Sequence, residues 1–238
     1  MIKILITCLC ALSCLAAGLA RADEADIRKA VTSLYGARVP IDAVRKAGML
    51  GLYEIQVGTD ILYSDEKGSY FFQGEIIDVK GKKNLTEARK NKLQQIRFAD
   101  LPLELALKTV RGNGKRVFAT FEDPNCGYCK KLAKDLVAMN DITMYTFLIP
   151  ILSADSNSKS KAIWCSSDRL KAWNDWMLNG TAPSAAACEA PMEKILALGQ
   201  KIGVRATPTI FLANGERIPG AIPASQLEQE LDRVAALK

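Results

Sequence analysis

Hydrophobic and polar residues alternate in two different periods along the first part of the chain. A three- and four-residue spacing over residues 26–35 predicts a short amphipathic helix. The segments GLYEIQVG, DILYS and SYFFQGEIIDV alternate in the manner of strands, and SDEKGS between the last two predicts a hairpin turn. These elements predict an α+β unit over residues 23–83.

Apolar side chains would lie on both faces of these strands. They are Leu52, Tyr53, Ile55, Ile61, Leu62, Tyr70, Phe71 and Phe72. An open sheet edge that pairs with a second chain would explain them. Cover by the unit's own helix or by a second domain is the alternative, and the sequence leaves both open.

The next stretch, GKKNLTEARKNKLQQIRF, is polar and rich in helix-forming residues. Thr86 can cap a helix, and the apolar stripe along it is thin. We therefore expect a linker helix over residues 84–97.

Residues 98–238 change to a mixed pattern. RVFATFED and ITMYTFLI predict buried strands on either side of a helix that begins at Cys126. A Ser-rich helical block follows, and then a helix over 192–203, the strands TPTIFL and RIPG, and a closing helix from Ala224. This order predicts an α/β domain with an inserted helical block.

The N-terminal 22 residues have the features of a secretory signal peptide. Lys3 precedes an apolar run that is too short to span a bilayer comfortably, and Ala20-Arg21-Ala22 forms an A-x-A cleavage site. A lipoprotein anchor at Cys14 is the alternative, disfavoured because no Leu stands three residues before it. We expect a soluble protein exported to the periplasm.

Composition limits the chemistry that is available. The chain of 238 residues has a formal charge of +6, but its basic residues are interspersed with acidic ones, which argues against nucleic-acid binding. It contains no His, which excludes His-based catalysis and His metal ligands.

Four cysteines remain after the predicted signal peptide, namely Cys126, Cys129, Cys165 and Cys188. An even number in an oxidising compartment suggests two disulfides. For Cys165 and Cys188 we expect a structural disulfide, which would contribute about 3 kcal/mol in the chain-entropy model. A second redox pair is the alternative, and the wide spacing of these cysteines argues against it.

The motif Cys126-Gly127-Tyr128-Cys129 begins a helix, where free amide N–H groups and the helix dipole favour a thiolate. We expect Cys126 to be the exposed nucleophile and Cys129 the shielded resolving cysteine. Gly127 and Tyr128 would tune the redox equilibrium, and Lys130 and Lys131 add positive charge. Zinc binding lacks a second Cys-x-x-Cys, and a purely structural disulfide is less typical of a helix-opening motif.

Thr207-Pro208 enters an apolar strand about 80 residues after the motif. Because a trans proline would normally break a strand ladder, we expect a cis peptide bond at Pro208. The three tryptophans, Trp164, Trp173 and Trp176, lie within or beside the inserted block, and we expect them to pack inside it.

Four segments together resemble the DsbC/DsbG family of periplasmic disulfide isomerases, and within it DsbC more closely. They are YFFQGEIIDVKG, FEDPNCGYCKKL, KAIWCSSDRLKAWNDWM and CEAPMEKILALGQKIGVRATPTIFLANGERIPG. The resemblance covers nearly all of the chain after residue 22. It implies a thioredoxin-like catalytic domain, with Thr207 and Pro208 beside Cys126 and Cys129 and with the backbone of Thr207 offered to the substrate.

The resemblance also implies how the protein would work. N-terminal domains would join two chains into a V-shaped homodimer, whose cleft binds misfolded, disulfide-containing exported proteins. A membrane reductase of the DsbD type would keep Cys126 and Cys129 reduced. No cofactor and no metal are implied.

The sequence departs from the family's pattern after the motif and before it. Lys130 stands where well-known members have His, so a fixed cation would favour the thiolate. Thioredoxin has a buried carboxylate six residues before its first cysteine, but Thr120 stands there, so we expect no proton transfer by that route.

Protein disulfide isomerase and reductase activity with chaperone-like binding is therefore our functional hypothesis. A DsbG-like reductase or chaperone, a DsbA-like oxidase, and a holdase with incidental cysteines are the alternatives.

Overall fold

The computed structural model describes residues 24–184 and 187–237. The predicted signal peptide, residues 1–22, lies outside the described residues. Two compact units divide the chain between Leu93 and Gln94. No helix within the described ranges is long and apolar enough to cross a membrane.

The N-terminal unit combines helices with small antiparallel sheets. Its first four strands form one sheet in the order β1-β2-β3-β4, and the last two form a ribbon. The elements are α1 (24–35), β1 (Ala43–Lys46), β2 (Tyr53–Val57), β3 (Asp60–Ser64), β4 (Phe71–Phe72), β5 (Ile77–Asp78), β6 (Lys83–Asn84) and α2 (Leu85–Leu93).

Helix α1 covers one side of the N-terminal sheet. Its fully buried Ile27 and Val31 pack with Val44, Tyr53 and Ile55 of β1 and β2. Large apolar side chains elsewhere in this unit stay exposed, among them Tyr70, Phe72, Ile77 and Val79. The unit's own helix therefore covers only part of the apolar surface that the strand pattern contains.

Helix α2 ends at Leu93, four residues before the predicted end of the linker helix. Thr86 is fully buried, and its hydroxyl lies 2.7 Å from the Tyr63 hydroxyl and accepts the Ile76 N–H at 2.9 Å. Arg89 pairs with Glu54 at 3.1 Å. These contacts attach α2 to the N-terminal unit, while the domain limits at residues 83 and 97 stay a prediction.

The C-terminal unit is an α/β domain. Its sheet has the order β11-β10-β8-β9-β7, with β8 and β9 parallel and the other pairs antiparallel. After two short 3-10 turns, the elements are β7 (Leu107–Arg111), β8 (Arg116–Glu122), α3 (Gly127–Asp135), β9 (Ile142–Leu148), α4 (Ala154–Cys165), α5 (Arg169–Asn174), a π-helical turn (Asp175–Asn179), α6 (Met192–Lys201), β10 (Thr209–Leu212), β11 (Arg217–Pro219) and α7 (Ala224–Ala235).

Apolar side chains fill both sides of this sheet. On one side, the Phe121 ring stacks on Phe147 with centroids 4.5 Å apart and meets Phe211 edge-on at 5.7 Å. On the other side, Phe118 packs with residues of α3 and α7 such as Leu132 and Leu231. Each fully buried Phe or Leu side chain stabilises the fold by about 1.5–3 kcal/mol because it leaves water. Strand β8 is the middle strand of the sheet and supplies such side chains to both sides.

Residues that follow α2 are bound to the C-terminal unit. The Ile96 N–H donates to the Gly215 carbonyl at 3.1 Å, and the Gln95 side chain donates to Asn214 at 2.8 Å. A Cβ at Gly215 would lie only 1.7 Å from the Ile96 oxygen. Gly215 therefore permits a close approach of two backbone segments that no other residue would allow.

Gly215→Ala should destabilise the C-terminal unit more than Gly220→Ala. Both glycines have φ of +85°, but a Cβ at Gly220 would meet nothing within 4 Å. The left-handed backbone alone should cost about 1 kcal/mol in Gly220→Ala, and the clash should add at least about 2 kcal/mol in Gly215→Ala. Urea unfolding followed by tryptophan fluorescence measures this unit, since all three tryptophans lie in it. Equal losses in the two variants would contradict the close approach.

Candidate active site

Cys126 is the N-cap residue of α3. Its backbone is extended, with φ −75° and ψ 118°, and its sulfur accepts the Cys129 N–H at 3.3 Å. The sulfur thus takes the place that a Ser or Asp oxygen usually occupies at a helix N-terminus. This amide N–H therefore points directly at the Cys126 sulfur.

A buried carboxylate fixes the loop that leads into α3. Asp123 is fully buried, and it accepts the Asn125 N–H at 2.8 Å and the Leu152 N–H at 3.0 Å. The Cys126 N–H donates to the Asp123 carbonyl at 3.0 Å. The position of Cys126 is therefore set by the loop as well as by the helix.

The Thr207–Pro208 segment lies against Cys126. Its peptide bond is cis, and the Thr207 carbonyl accepts a hydrogen bond from the Cys126 thiol at 3.2 Å. Gly127 and Tyr128 form the first turn of α3, where Tyr128 is 70% exposed. The fold thus brings together predicted site residues that are about 80 positions apart in the sequence.

Cys126 is less accessible than the sequence suggested, with only 6% of its surface exposed, because the Thr207 carbonyl lies against its sulfur. Cys129 is completely buried. Burial is the main cause that raises the pKa of the Cys129 thiol far above its usual range, and the charge of Glu122 raises it further. Cys129 is therefore held as a neutral thiol.

Glu122 is a buried carboxylate that the sequence analysis missed. It is 2% exposed, one oxygen accepts the Thr120 hydroxyl at 2.8 Å, and the other has no hydrogen-bond partner. Burial raises the pKa of Glu122 to about 7, although the Thr120 hydrogen bond lowers it in part. Thr120 itself carries no carboxylate, as the sequence shows, but Glu122 places a buried carboxylate two residues further along β8.

A sequence signal for Glu122 did exist. Residues two apart on a strand share a face, so Glu122 lies on the same side of β8 as Thr120. An acidic residue at the end of a strongly apolar strand, four positions before the first cysteine, was the available sign.

Cys165 and Cys188 form a disulfide in the structure, with their Cα atoms 5.5 Å apart. It joins the end of α4 to the loop before α6. Cys126 and Cys129 are free thiols. Within residues 24–184 and 187–237, no group of His, Cys, Asp and Glu could hold a metal ion.

These groups can perform thiol–disulfide exchange. Cys126 offers a sulfur at a helix N-terminus, Cys129 a protonated thiol beneath it, and Glu122 a carboxylate that titrates near neutral pH. The roles of the individual residues stay a prediction.

Comparisons with known proteins cover both units of the chain. A family model described as a disulfide bond isomerase protein N-terminal domain matches residues 18–87. A second model, described as a thioredoxin-like domain, matches residues 103–235. The predicted fold class is thereby confirmed.

Individual relatives agree with the family models. The probable thiol:disulfide interchange protein DsbC of Bordetella parapertussis is 50% identical over 191 residues, which are 80% of this chain and 68% of the relative. The thiol:disulfide interchange protein DsbC of Escherichia coli K12 is 30% identical over 219 residues, 90% of each chain. A crystal structure of a disulfide interchange protein from Neisseria gonorrhoeae is 40% identical, with a TM-score of 0.54, and the match covers 56% of this chain and 97% of that one. With relatives of this similarity along both units, the chain belongs to the DsbC family of thiol:disulfide interchange proteins.

Proposed function

We propose that the protein is a periplasmic disulfide isomerase and reductase with chaperone-like binding, which rearranges wrong disulfides in exported proteins. The observation that carries this proposal is the contrast between the two free cysteines. The sulfur of Cys126 accepts an amide N–H at a helix start, whereas Cys129 is buried and its thiol pKa is strongly raised.

The first step would be an attack of the Cys126 thiolate on a substrate disulfide. A new bond would form between Cys126 and one substrate sulfur, and the other substrate sulfur would leave as a thiolate. The Thr207 carbonyl, 3.2 Å from the Cys126 sulfur, is placed to accept a hydrogen bond from the substrate backbone. This arrangement would hold the substrate chain in line for the exchange.

The resulting mixed disulfide has two routes to release. A second substrate thiolate can attack the sulfur bound to Cys126, which regenerates the Cys126 thiolate and leaves a rearranged substrate without net oxidation. Alternatively Cys129 attacks, which forms the Cys126–Cys129 disulfide and releases a reduced substrate. Because Cys129 is a buried thiol, the second route is slow until its proton is removed, and this delay favours rearrangement.

Glu122 is the group that would accept the proton of Cys129. Its pKa near 7 means that it can accept and return a proton at neutral pH, and its second oxygen has no hydrogen-bond partner. The charge of ionised Glu122 also raises the pKa of Cys129. A state in which Glu122 and Cys129 hold one proton between them is therefore more favourable than a state in which both are ionised.

The N-terminal unit would join two chains into a homodimer. Strand β4 pairs only with Tyr63 and Ser64, so in the described part of the chain no strand pairs with residues 60–62 on that side of β3. An apolar groove of about 340 Å³ borders this edge and is lined by Tyr35, Val57 and Ile61, among others. An unpaired edge beside exposed apolar side chains fits pairing with a second copy.

The cellular partners follow from this chemistry. Reduction of a substrate leaves Cys126 and Cys129 as a disulfide, so a DsbD-like membrane reductase would supply the electrons that restore the thiols. A DsbG-like reductase has the same requirement, whereas a DsbA-like oxidase would be found mainly oxidised. Trapping the redox state in cells with and without the membrane reductase separates these functions.

Substitution of Cys126 and of Cys129 should impair different steps of the exchange reaction. Cys126→Ser should abolish the refolding of a scrambled multi-disulfide substrate, because the thiol that remains in the motif, Cys129, is fully buried and protonated. Cys129→Ser should retain part of the isomerisation and accumulate mixed disulfides, which gel electrophoresis under non-reducing conditions detects. Cys126→Ser protein that still corrects scrambled disulfides would refute the proposal.

Glu122→Gln should remove a pH dependence of stability in the reduced protein. The folded pKa of about 7 exceeds the ordinary value of 4.5, so the folded state binds more protons between these pH values. The free energy of unfolding should then fall as pH rises from 4.5 to 7, by about 3 kcal/mol in total. Urea unfolding at several pH values measures this slope.

Glu104→Gln is the matched control for this experiment, since Glu104 is an exposed carboxylate of the same domain. We expect it to keep the slope, whereas Glu122→Gln should be flatter and more stable at pH 8. A slope that survives Glu122→Gln would mean that another group is responsible.

Phe72→Asp should weaken the dimer, because it places a charge on the exposed apolar surface beside the β3 edge. Phe72 is 50% exposed. Val110→Asp is the control, since Val110 is 54% exposed but lies in the C-terminal unit. Sedimentation equilibrium should give twice the chain mass for the parent protein and Val110→Asp, and a shift towards monomer at micromolar concentration for Phe72→Asp. A parent protein that sediments as a monomer would contradict the dimer.

A further inference from the structure

Trp176 connects the inserted helical block to the loop before Cys126. It lies in the π-helical turn Asp175–Asn179 that follows α5, and its indole N–H donates to the Pro124 carbonyl at 2.5 Å. Pro124 stands two residues before Cys126. Trp176 is therefore more than packing within the block, which is what the sequence suggested for it.

The ring of Trp176 also contacts two cations, one of which belongs to the residue that directly follows the Cys-x-x-Cys motif. The Lys130 ammonium lies 4.0 Å from the ring centroid, and the Lys159 ammonium lies 4.7 Å from it. Lys130 is one helical turn beyond Cys126, and its N–H donates to the Cys126 carbonyl at 3.0 Å. The ring thus holds the ammonium of a residue that lies within one helical turn of Cys126.

A second branch of contacts connects the same groups. The Asn125 side-chain amide donates to Asp155 at 2.7 Å, and Asp155 pairs with Lys159. Lys159 lies over Trp176. The residue before Cys126 and the residue after Cys129 are thus both tied, through different partners, to one indole.

The way in which Lys130 is held affects its electrostatic role. In the described part of the chain, Lys130 forms no ion pair, whereas its neighbour Lys131 pairs with Asp135. A carboxylate would neutralise the ammonium, but an indole attracts it through its quadrupole and carries no net charge. The field of Lys130 therefore stays available to a thiolate at Cys126.

We propose that Trp176 is a positioning residue for disulfide exchange. Its ring keeps the Lys130 charge beside Cys126, and its N–H holds the Pro124 loop from which Cys126 projects. The inference rests on the proposed function, in which Cys126 is the nucleophile, and assigns a residue that acts on it through Lys130.

Loss of this contact should favour the oxidised protein. In the equilibrium with glutathione, the protein dithiol and one oxidised glutathione give the protein disulfide and two reduced glutathiones, so electrons balance. A nearby cation stabilises the thiolate and hence the dithiol side. Without its ring partner Lys130 is free to move away, and we expect the equilibrium constant for oxidation to rise about threefold, the size of an exposed cation–π contact.

Three substitutions distinguish the effect of the Trp176 ring from that of its N–H group, and distinguish both from a general effect of packing in the block. Trp176→Leu removes the ring and the N–H group and should give the full threefold shift. Trp176→Phe keeps an aromatic face and should give a smaller one. Trp164→Phe is the control, because Trp164 belongs to the same block and carries Arg169 at 3.9 Å, and it should change stability without moving the glutathione equilibrium.

A double-mutant cycle tests whether Trp176 acts through Lys130. Lys130→Met should give about the same shift as Trp176→Leu, and Trp176→Leu should add little in the Lys130→Met background. Strict additivity would overturn the proposal, as would a Trp176→Leu shift no larger than that of Trp164→Phe. If Trp176→Leu does not fold, Trp176→Phe takes its place in the cycle, and an equilibrium constant that stays unchanged in either Trp176→Phe or Lys130→Met refutes the inference.

These outcomes are distinct from a failure of the proposed function. If the parent protein shows no disulfide exchange, or exchanges without Cys126, the proposed function itself fails. If exchange through Cys126 is intact and only the glutathione equilibrium is insensitive to Trp176 and Lys130, the positioning role alone is wrong.

Discussion

The hydrogen bond from the Cys129 amide to the Cys126 sulfur is the contact on which the site depends. It exists because β8 ends at Glu122 and the buried Asp123 turns the chain directly into α3. The same turn brings the sulfur against the Thr207 carbonyl and buries Cys129 beneath it. The geometry of one loop therefore gives the two cysteines different surroundings. The Cys126 sulfur accepts an amide N–H at the helix start, whereas Cys129 is a buried neutral thiol.

Much of this architecture could be predicted because its signals are local. Apolar strands on either side of a helix-opening Cys-x-x-Cys motif, followed by Thr207-Pro208, indicated the α/β domain that the family models confirm. Strands β1 and β7 were missed, since both are short edge strands whose polar residues hide the alternation. The end of α2 was misplaced because Gln94 to Ile96 bond to the C-terminal unit, which no local propensity reveals.

The properties of the site were harder to infer than its location. Burial decides that Glu122 titrates near neutral pH, and burial is a property of the whole fold. The same holds for Cys126, whose accessibility depends on a carbonyl about 80 residues away, and for Trp176, whose partners come from the loop and from α3. Sequence patterns located the Cys126–Cys129 motif, whereas the electrostatic surroundings of these two cysteines are set by long-range packing.

The Cys165–Cys188 disulfide encloses the segment that contains Trp176. Its formation restricts the chain that delivers the indole to the Pro124 loop and to Lys130. In the same structure Cys126 and Cys129 are free thiols, so one pair of cysteines is oxidised while the other pair is reduced. The proposed function therefore requires two opposite redox reactions of one chain, oxidation of Cys165 and Cys188 to complete the scaffold and reduction of Cys126 and Cys129 to keep that pair available.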